Sequence, residues 1–277
     1  MNTPLISIVI PIRNRHGARV RNCLESIKVQ SIKTIEIVIA DYGSNEPNYE
    51  KLIETLKPFE CIVFHHSTDE IWSRPIANNM GIRRAWGEYI MTLDVDCILE
   101  QRVVEHVVRL HEENPNNIIA SQVYHLKEEF DIENITLPQD YGKLRKFSEM
   151  YRPGFGALIS VPREWWHKVR GYDERMSGWG ASDNDIWGRA KRSGLQRIML
   201  TEHPPPYAKI FHQWHKIHGI ANEIGQKEFF RLYKINKSIW KNDRTIVRND
   251  ANWGLWNEKV YIHFPQLEGC RHEIIDI

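Results

Sequence analysis

Three short stretches carry residue types that core packing does not ask for. In "IMTLDVDCIL" (90–99), Asp94 and Asp96 close an apolar run. Residues i and i+2 of an extended segment point the same way, so the two carboxylates converge and repel unless a cation sits between them. Such a pair suits a divalent metal with few protein ligands, the remainder coming from a diphosphate and water. In "SGWGASDNDIWGRA" (177–190), Gly178 and Gly180 let the backbone turn tightly around Trp179, whose ring can carry a sugar. Asp183 falls in the first turn of an expected helix over 183–194. The helix macrodipole stabilises a carboxylate there, leaving it ionised and able to accept a proton. Ser182 reads as the N-cap of that helix and Asp185 as its capping-box partner or a helix-start anion. "KIFHQWHKIHG" (209–219) adds His212, His215 and His218. Imidazole combined with carboxylate favours Mn2+ over Mg2+.

The elements that must position these groups alternate through the first hundred residues. "LISIVIP" (5–11), 34–41, 61–66 and 88–94 read as strands, and the continuously apolar first run implies cover on both faces. Helical spacing marks 18–30, 47–56 and 75–86. The order strand, helix, strand, helix predicts an α/β fold with a Rossmann-like, mostly parallel sheet and helices on both faces. Ligands of such sheets bind beyond the carboxyl ends of the strands. The polar residues gather there: Arg13 and Asn14, then Asp41, then Asp94 and Asp96. The second half is expected to hold a helix over 104–114, a strand over 117–126, a polar loop over 127–150, a strand over 155–162 and a helix over 163–169.

The chain has 277 residues, enough for one large domain or two halves sharing a cleft. A formal net charge of +1 gives no general attraction to nucleic acid. The four cysteines have neither zinc-site nor redox-motif spacing and read as reduced thiols. Most of the ten tryptophans lie in the second half, several beside Gly, Asp or His, which suits sugar-stacking walls as well as cores.

These motifs resemble the inverting glycosyltransferases of the GT-A fold, family 2. "ISIVIPIRNR" is similar to that family's first strand, "IVIADYGSNE" to its "VVDDGSTD" segment, and "IANNMGIRRAWGEYIMTLDVDCIL" to its "ARN-x-G-I-x-x-A-x-GEYI-x-x-LD-x-D". The resemblance implies a nucleotide-sugar donor, commonly a UDP-sugar, held by Pro11, Arg13, Asp41, Asn79, Asp94 and Asp96. Asp41 would contact the base, Asp94 would lie nearer the ribose, and Asp96 would bind the metal. Tyr42 stands where the family has a second Asp and Asn78 where it has Arg, so a basic donor contact must come from elsewhere, with Arg74 as the candidate. "GYDERMSGWGASDNDIWGRA" resembles the acceptor signature of β-1,4-galactosyltransferases, polypeptide N-acetylgalactosaminyltransferases and bacterial chondroitin polymerases. Trp179, with Gly180 and Ser182, would then meet the acceptor and Asp183 would be the catalytic base. Ser182 replaces the family's Glu. Such sites complete the metal shell with a late histidine, and either His212 or His215 could serve. His212 is favoured because it follows a short apolar segment.

The resemblance implies a domain over 1–219, with a donor half (1–100) and an acceptor half (101–219), followed by a C-terminal extension over 220–277. It lacks the Q-x-x-R-W and membrane helices of processive synthases, so single-sugar transfer to a glycan, glycoconjugate or lipid-linked acceptor is expected. The stretch 227–241 reads as a C-terminal helix with a solvated basic face, or as a basic amphipathic helix resting on an anionic membrane. A cytoplasmic protein is expected, with 227–241 as its peripheral contact at the inner face of a membrane. Two rival readings are a sugar-phosphate nucleotidyltransferase and a non-catalytic carbohydrate-binding module.

Overall fold

The computed structural model describes residues 4–150, 154–202, 208–215, 219–256, 259–263 and 275–276. Its elements run β1 (Ile6–Ile12), α1 (Ala18–Lys28), β2 (Ile35–Tyr42), α2 (Glu46–Leu56), β3 (Cys61–His66), α3 (Arg74–Arg84), β4 (Tyr89–Leu93), β5 (Cys97–Leu99), α4 (Val103–Glu113), β6 (Asn117–Ala120), β7 (Tyr124–Leu126), α5 (Tyr141–Lys146), β8 (Ser148–Glu149), β9 (Leu158–Pro162), α6 (Arg163–Val169), α7 (Ser182–Arg192), β10 (Gln196–Met199), β11 (Ile210–His212), α8 (Gly219–Ile224), α9 (Gln226–Asn242), β12 (Lys259–His263) and β13 (Ile275–Asp276).

All seven residues of β1 are buried because helices cover both faces of its sheet. Ile6, Ile8, Ile10 and Ile12 face one way, into a core shared with Val20, Leu24 and Ile27 of α1 and Leu52 and Leu56 of α2. Val9 faces the other way, with Val38, and packs in the core to which α3 gives Ile76, Ala77 and Met80. Each such aliphatic side chain contributes about 1.5–3 kcal/mol when fully buried. Among the described residues the large sheet has the order β10-β6-β9-β4-β1-β2-β3-β12-β13. The β4-β1-β2-β3 block is parallel throughout, as the alternation of elements implies. β9 is inserted antiparallel between β4 and β6, and β12 closes antiparallel on β3. The α/β, mostly parallel, helix-flanked architecture expected from the sequence is therefore the one observed.

Two expectations for the second half need correction. The apolar stretch 117–126 is not one strand. It breaks after Ala120, and β7 leaves for a small second sheet of order β5-β11-β7-β8. The polar stretch 127–150 is not a bare loop, because it contains α5, whose Tyr141 and Leu144 are buried against Ile98, Leu126 and Phe211. Two apolar positions on a six-residue helix are too few to show a period in the sequence. The small sheet matters for the site. It pairs His212 of β11 with Cys97 of β5, one residue beyond Asp96.

Candidate active site

Asp94 and Asp96 leave the carboxyl end of β4, in the turn before β5. Arg74 reaches them from the start of α3. That start is fixed by Ser73, whose hydroxyl accepts from the Ile76 N–H and donates to the Met176 carbonyl at 2.7 Å, and by Pro75 in the first turn. Arg74 Nε donates to Asp94 Oδ1 at 2.9 Å, and Nη1 donates to Asp183 Oδ1 at 2.6 Å. Nη2 donates to the Gly156 carbonyl. The planar fork of a guanidinium allows this, since its donors diverge in one plane. Arg74 is thus no solvated helix-start cation: it joins the acid at the end of β4 to the acid in the first turn of α7.

Asp96 faces two imidazoles. His215 Nε2 lies 3.1 Å from Oδ2 and His212 Nε2 lies 3.5 Å from Oδ1. One ligand atom from each of these three residues can be chosen so that all lie within 4.8 Å of one another. Asp96 Oδ1 is buried without a hydrogen-bond partner, and a buried bare acceptor is costly unless something satisfies it. One carboxylate and two imidazoles could hold a divalent metal ion with open positions. Burial pushes the Asp94 carboxyl up to about 6, with the charges of Asp96 and Asp183 adding to it and Arg74 opposing. At Asp96 burial acts in the same direction, but the imidazoles outweigh it and hold the carboxyl well below its usual range. His218 lies outside the described residues.

Asp183 sits in the first turn of α7. The helix begins differently from the sequence expectation. Ser182 is already helical, the N-cap is Ala181 at φ 71°, and no side chain caps the helix. Asp185 is not a capping-box partner either. It is buried between two arginines, accepting from Arg189 Nε at 2.8 Å and from Arg248 Nη2 at 2.7 Å. Asp185 is structural as expected, but through a buried ion-pair cluster that spacing alone could not show. Asp183 points instead toward Arg74 and Gly156. Gly156 has φ 120°, and a Cβ there would stand 2.3 Å from Asp183 Cγ, so only glycine fits.

Trp179 is 61% exposed. Its ring stacks beside Phe229 and Tyr233 of α9, with centroids 6.0 and 5.9 Å apart. Gly180 has φ 94°, and a Cβ on it would meet the Tyr233 ring at 2.7 Å. The glycines around Trp179 therefore serve the approach of α9 as well as the turn.

One cleft of two connected lobes, of about 570 and 260 Å3, gathers most of the expected residues. The smaller lobe is lined by Pro11, Arg13 and Glu223. The larger is lined by Trp179, Gly180, Ser182, Asp183 and His215, and Arg15, Trp72, Arg74, Asp94 and Asp96 belong to both. Arg13 pairs with Glu223 of α8 at 3.2 Å and donates to the Glu70 carbonyl. Two expected donor residues do not line the cleft. Asp41 is fully buried, accepting from the Ser44 N–H at 3.2 Å and facing His65 Nδ1 at 2.9 Å. Asn79 is also buried. It donates to the Tyr172 carbonyl and Glu174 Oε1 and accepts from the Tyr172 N–H, thereby anchoring the loop that precedes Trp179. Tyr42, at the position where an Asp was expected, is buried and donates to Glu70 Oε2 at 2.7 Å. Arg15, Trp72, Gly156 and Tyr233 were not anticipated. They carry no spacing signal, and only the fold brings Arg15, Trp72 and Tyr233 to the cleft and Gly156 against Asp183.

Residues 7–166, more than half of the chain, match the glycosyl transferase family 2 profile. The chain belongs to that family. Residues 143–216, which hold Trp179, Asp183, His212 and His215, also match a profile described as the N-terminal domain of galactosyltransferase. An uncharacterised glycosyltransferase of Methanocaldococcus jannaschii is 23% identical over 95% of this chain and 89% of its own length. Glycosyltransferase GlyG of Streptococcus pneumoniae is 30% identical over 45% of this chain and 40% of its own. The crystal structure of S. aureus TarS in complex with UDP-GlcNAc superposes with a TM-score of 0.58 at 12% identity, covering 86% of this chain and 67% of that one. That likeness bears on the fold, which is of the GT-A type. The chain is a glycosyltransferase, which sets aside both rival readings, and its family implies a nucleotide-sugar donor and a glycan acceptor. No helix among the described residues is long and apolar enough to cross a membrane.

Proposed function

We propose that this glycosyltransferase moves one sugar, with inversion, from a nucleoside-diphosphate donor, a UDP-sugar in the first instance, to a hydroxyl of a glycan or glycoconjugate. The observation that carries the reading is the convergence of Asp94, Asp96 and Asp183 on one cleft, with Arg74 spanning from Asp94 to Asp183.

In this reading the donor occupies the smaller lobe, with Pro11 and Arg13 along its wall. Asp41 and Asn79 act from behind that wall, supporting the strand end and the 171–174 turn. Asp96, His212 and His215 hold a divalent metal, with Mn2+ favoured over Mg2+ by the two imidazoles. When bound, the metal offsets charge on the leaving diphosphate. The acceptor sugar lies against Trp179, with Gly180 and Ser182 at its edge. Asp183 Oδ takes the proton from the attacking hydroxyl as the hydroxyl oxygen bonds to the anomeric carbon from the face opposite the diphosphate. Arg74 keeps Asp183 aimed into the cleft before acceptor arrives, and Gly156 leaves room for it. The division into a donor half over 1–100, an acceptor half over 101–219 and an extension over 220–277 follows from the same reading.

The test is sugar transfer and donor hydrolysis with a panel of UDP-, GDP-, dTDP- and CMP-sugars, with and without Mn2+. Product configuration is read by NMR. Activity that is indifferent to chelation, or retention of the anomeric configuration, would overturn the mechanism.

A further inference from the structure

The large lobe of the cleft extends past Trp179 along α9, a helix outside both matched segments. Tyr233, Asn236, Lys237 and Trp240 line it there. Spacings of three and four place these residues on one helical face. The helix is seated firmly. Asn236 Nδ2 donates to the Ser177 carbonyl at 2.8 Å and to the Trp179 carbonyl at 3.3 Å, and Leu232 is buried beneath. Gly178 and Gly180 both admit its side chains closely.

Two polar groups on this wall have no hydrogen-bond or ion-pair partner among the described residues. Asn236 is 2% exposed, and its Oδ1 is buried with no hydrogen-bond partner although the residue lines the cleft. A bare buried acceptor beside an open cavity points to a ligand donor such as a sugar hydroxyl. Lys237 has no ion pair among the described residues, and its ammonium stands 5.7 Å from the centroid of the Tyr233 ring. Arg231 pairs with Glu228, and Asp243 with Arg175 and Arg248, while Lys237 is the lysine of α9 that lines the cleft. The carboxylates of this cleft lie at its other end, where Arg74 and the histidines face them. Trp179, Tyr233 and Trp240 supply apolar ring faces between the two ends.

We propose that α9 forms a second acceptor subsite, and that it selects an acidic glycan. The sugar preceding the reacting one would lie along Tyr233 and Trp240. One of its hydroxyls would donate to Asn236 Oδ1, and its carboxylate or phosphate would accept from Lys237 Nζ. This inference rests on the transferase reading, which puts the acceptor against Trp179.

The test measures binding by tryptophan fluorescence in the presence of UDP and Mn2+. The probes are a disaccharide carrying glucuronic acid, its carboxyl-reduced neutral counterpart, and the same neutral disaccharide bearing a phosphate. The wild-type chain should bind an acidic probe roughly tenfold or more tighter than the neutral one, the usual worth of a charge-assisted hydrogen bond. Which acidic probe wins identifies the anion. K237Q should abolish the preference, K237R should keep it, and UDP–Mn2+ binding should be equal in all three proteins. Equal binding of acidic and neutral probes by the wild type, no binding of any probe, or an undiminished preference in K237Q would each overturn the subsite. Loss of UDP–Mn2+ binding by the wild type would instead count against the transferase reading beneath it.

Discussion

Arg74 Nη1 donates to Asp183 Oδ1 at 2.6 Å, linking residues 109 positions apart from the two walls of the cleft. The same guanidinium holds Asp94. It offsets the repulsion between acids that face one cavity from both walls, and it sets where Asp183 points. Lysine is a point charge without the fork and cannot serve all three acceptors. R74K should lower kcat/KM roughly tenfold or more. R74Q should lower it further and cost about 1–3 kcal/mol of stability, since it strips a hydrogen-bonded charge from two partly buried carboxylates. Wild-type kinetics in R74Q would reduce Arg74 to a dispensable strut.

Asp183 and Asp185 lie in the same helical turn and should fail in opposite ways. D183N keeps size and polarity but cannot accept a proton, so transfer should slow by roughly 10²–10⁴-fold with nucleotide affinity unchanged. D185N leaves Arg189 and Arg248 short of a buried counter-charge. Its cost should be about 3–5 kcal/mol of stability, with activity retained below its lowered melting temperature. Rate and melting curves of both variants decide the matter. A near-normal rate in D183N would move the base elsewhere.

For the metal, D96A should abolish Mn2+-dependent nucleotide binding while the fold persists, because Asp96 lies in a turn rather than in the core. H212A and H215A should each raise the Mn2+ concentration for half-maximal activity tenfold or more, at least the effect of losing an outer-sphere partner. Titrations identical to the wild type in both histidine variants would dismiss them as ligands.

How much of this was legible in the sequence follows from range. β1 to β4 and their helices announce themselves through local period, and Asp94 and Asp96 sit where that period ends. Asp183 and Trp179 stand out because their neighbours are poor core formers. What could not be read is pairing between distant segments. The bond from Arg74 to Asp183, the Arg248–Asp185 contact and the seating of Tyr233 on Gly180 each span more than fifty residues. The Ser182 expectation failed for a related reason. Ser182 and Asp185 have capping-box spacing, but two buried arginines claim Asp185 and leave nothing to close the box.

Gly156 and Gly180 make the steric part of the site testable. G156A places a methyl against Asp183 in a backbone conformation that favours glycine. It should displace the carboxylate and lower kcat by tenfold or more, as misplacements of about 1 Å do. G180A should push Tyr233 away, costing about 1–3 kcal/mol and weakening acceptor binding more than nucleotide binding. Unchanged acceptor KM in G180A would argue that α9 and the Trp179 loop do not act as one surface.

His111 of α4, which does not line the cleft, should set part of the acid stability. Its ring is fully buried, stacked on Tyr89 with centroids 4.5 Å apart, and Nε2 lies 2.9 Å from Ser160 Oγ. Burial lowers its pKa from 6.5 to about 3. Between those values the unfolded chain binds a proton that the folded chain refuses, so stability rises with pH across that window and falls on acidification. At pH 7 both states are largely neutral and the cost is small. At pH 5 it should be on the order of 2 kcal/mol. H111Q can keep a hydrogen bond to Ser160 but does not titrate. The variant should be less stable than the wild type at pH 7, having lost the ring stack, and the gap should narrow by about that amount on going to pH 5. Urea unfolding of both proteins from pH 7 to pH 4.5 measures it. Parallel curves would mean that His111 does not govern this part of the acid limb.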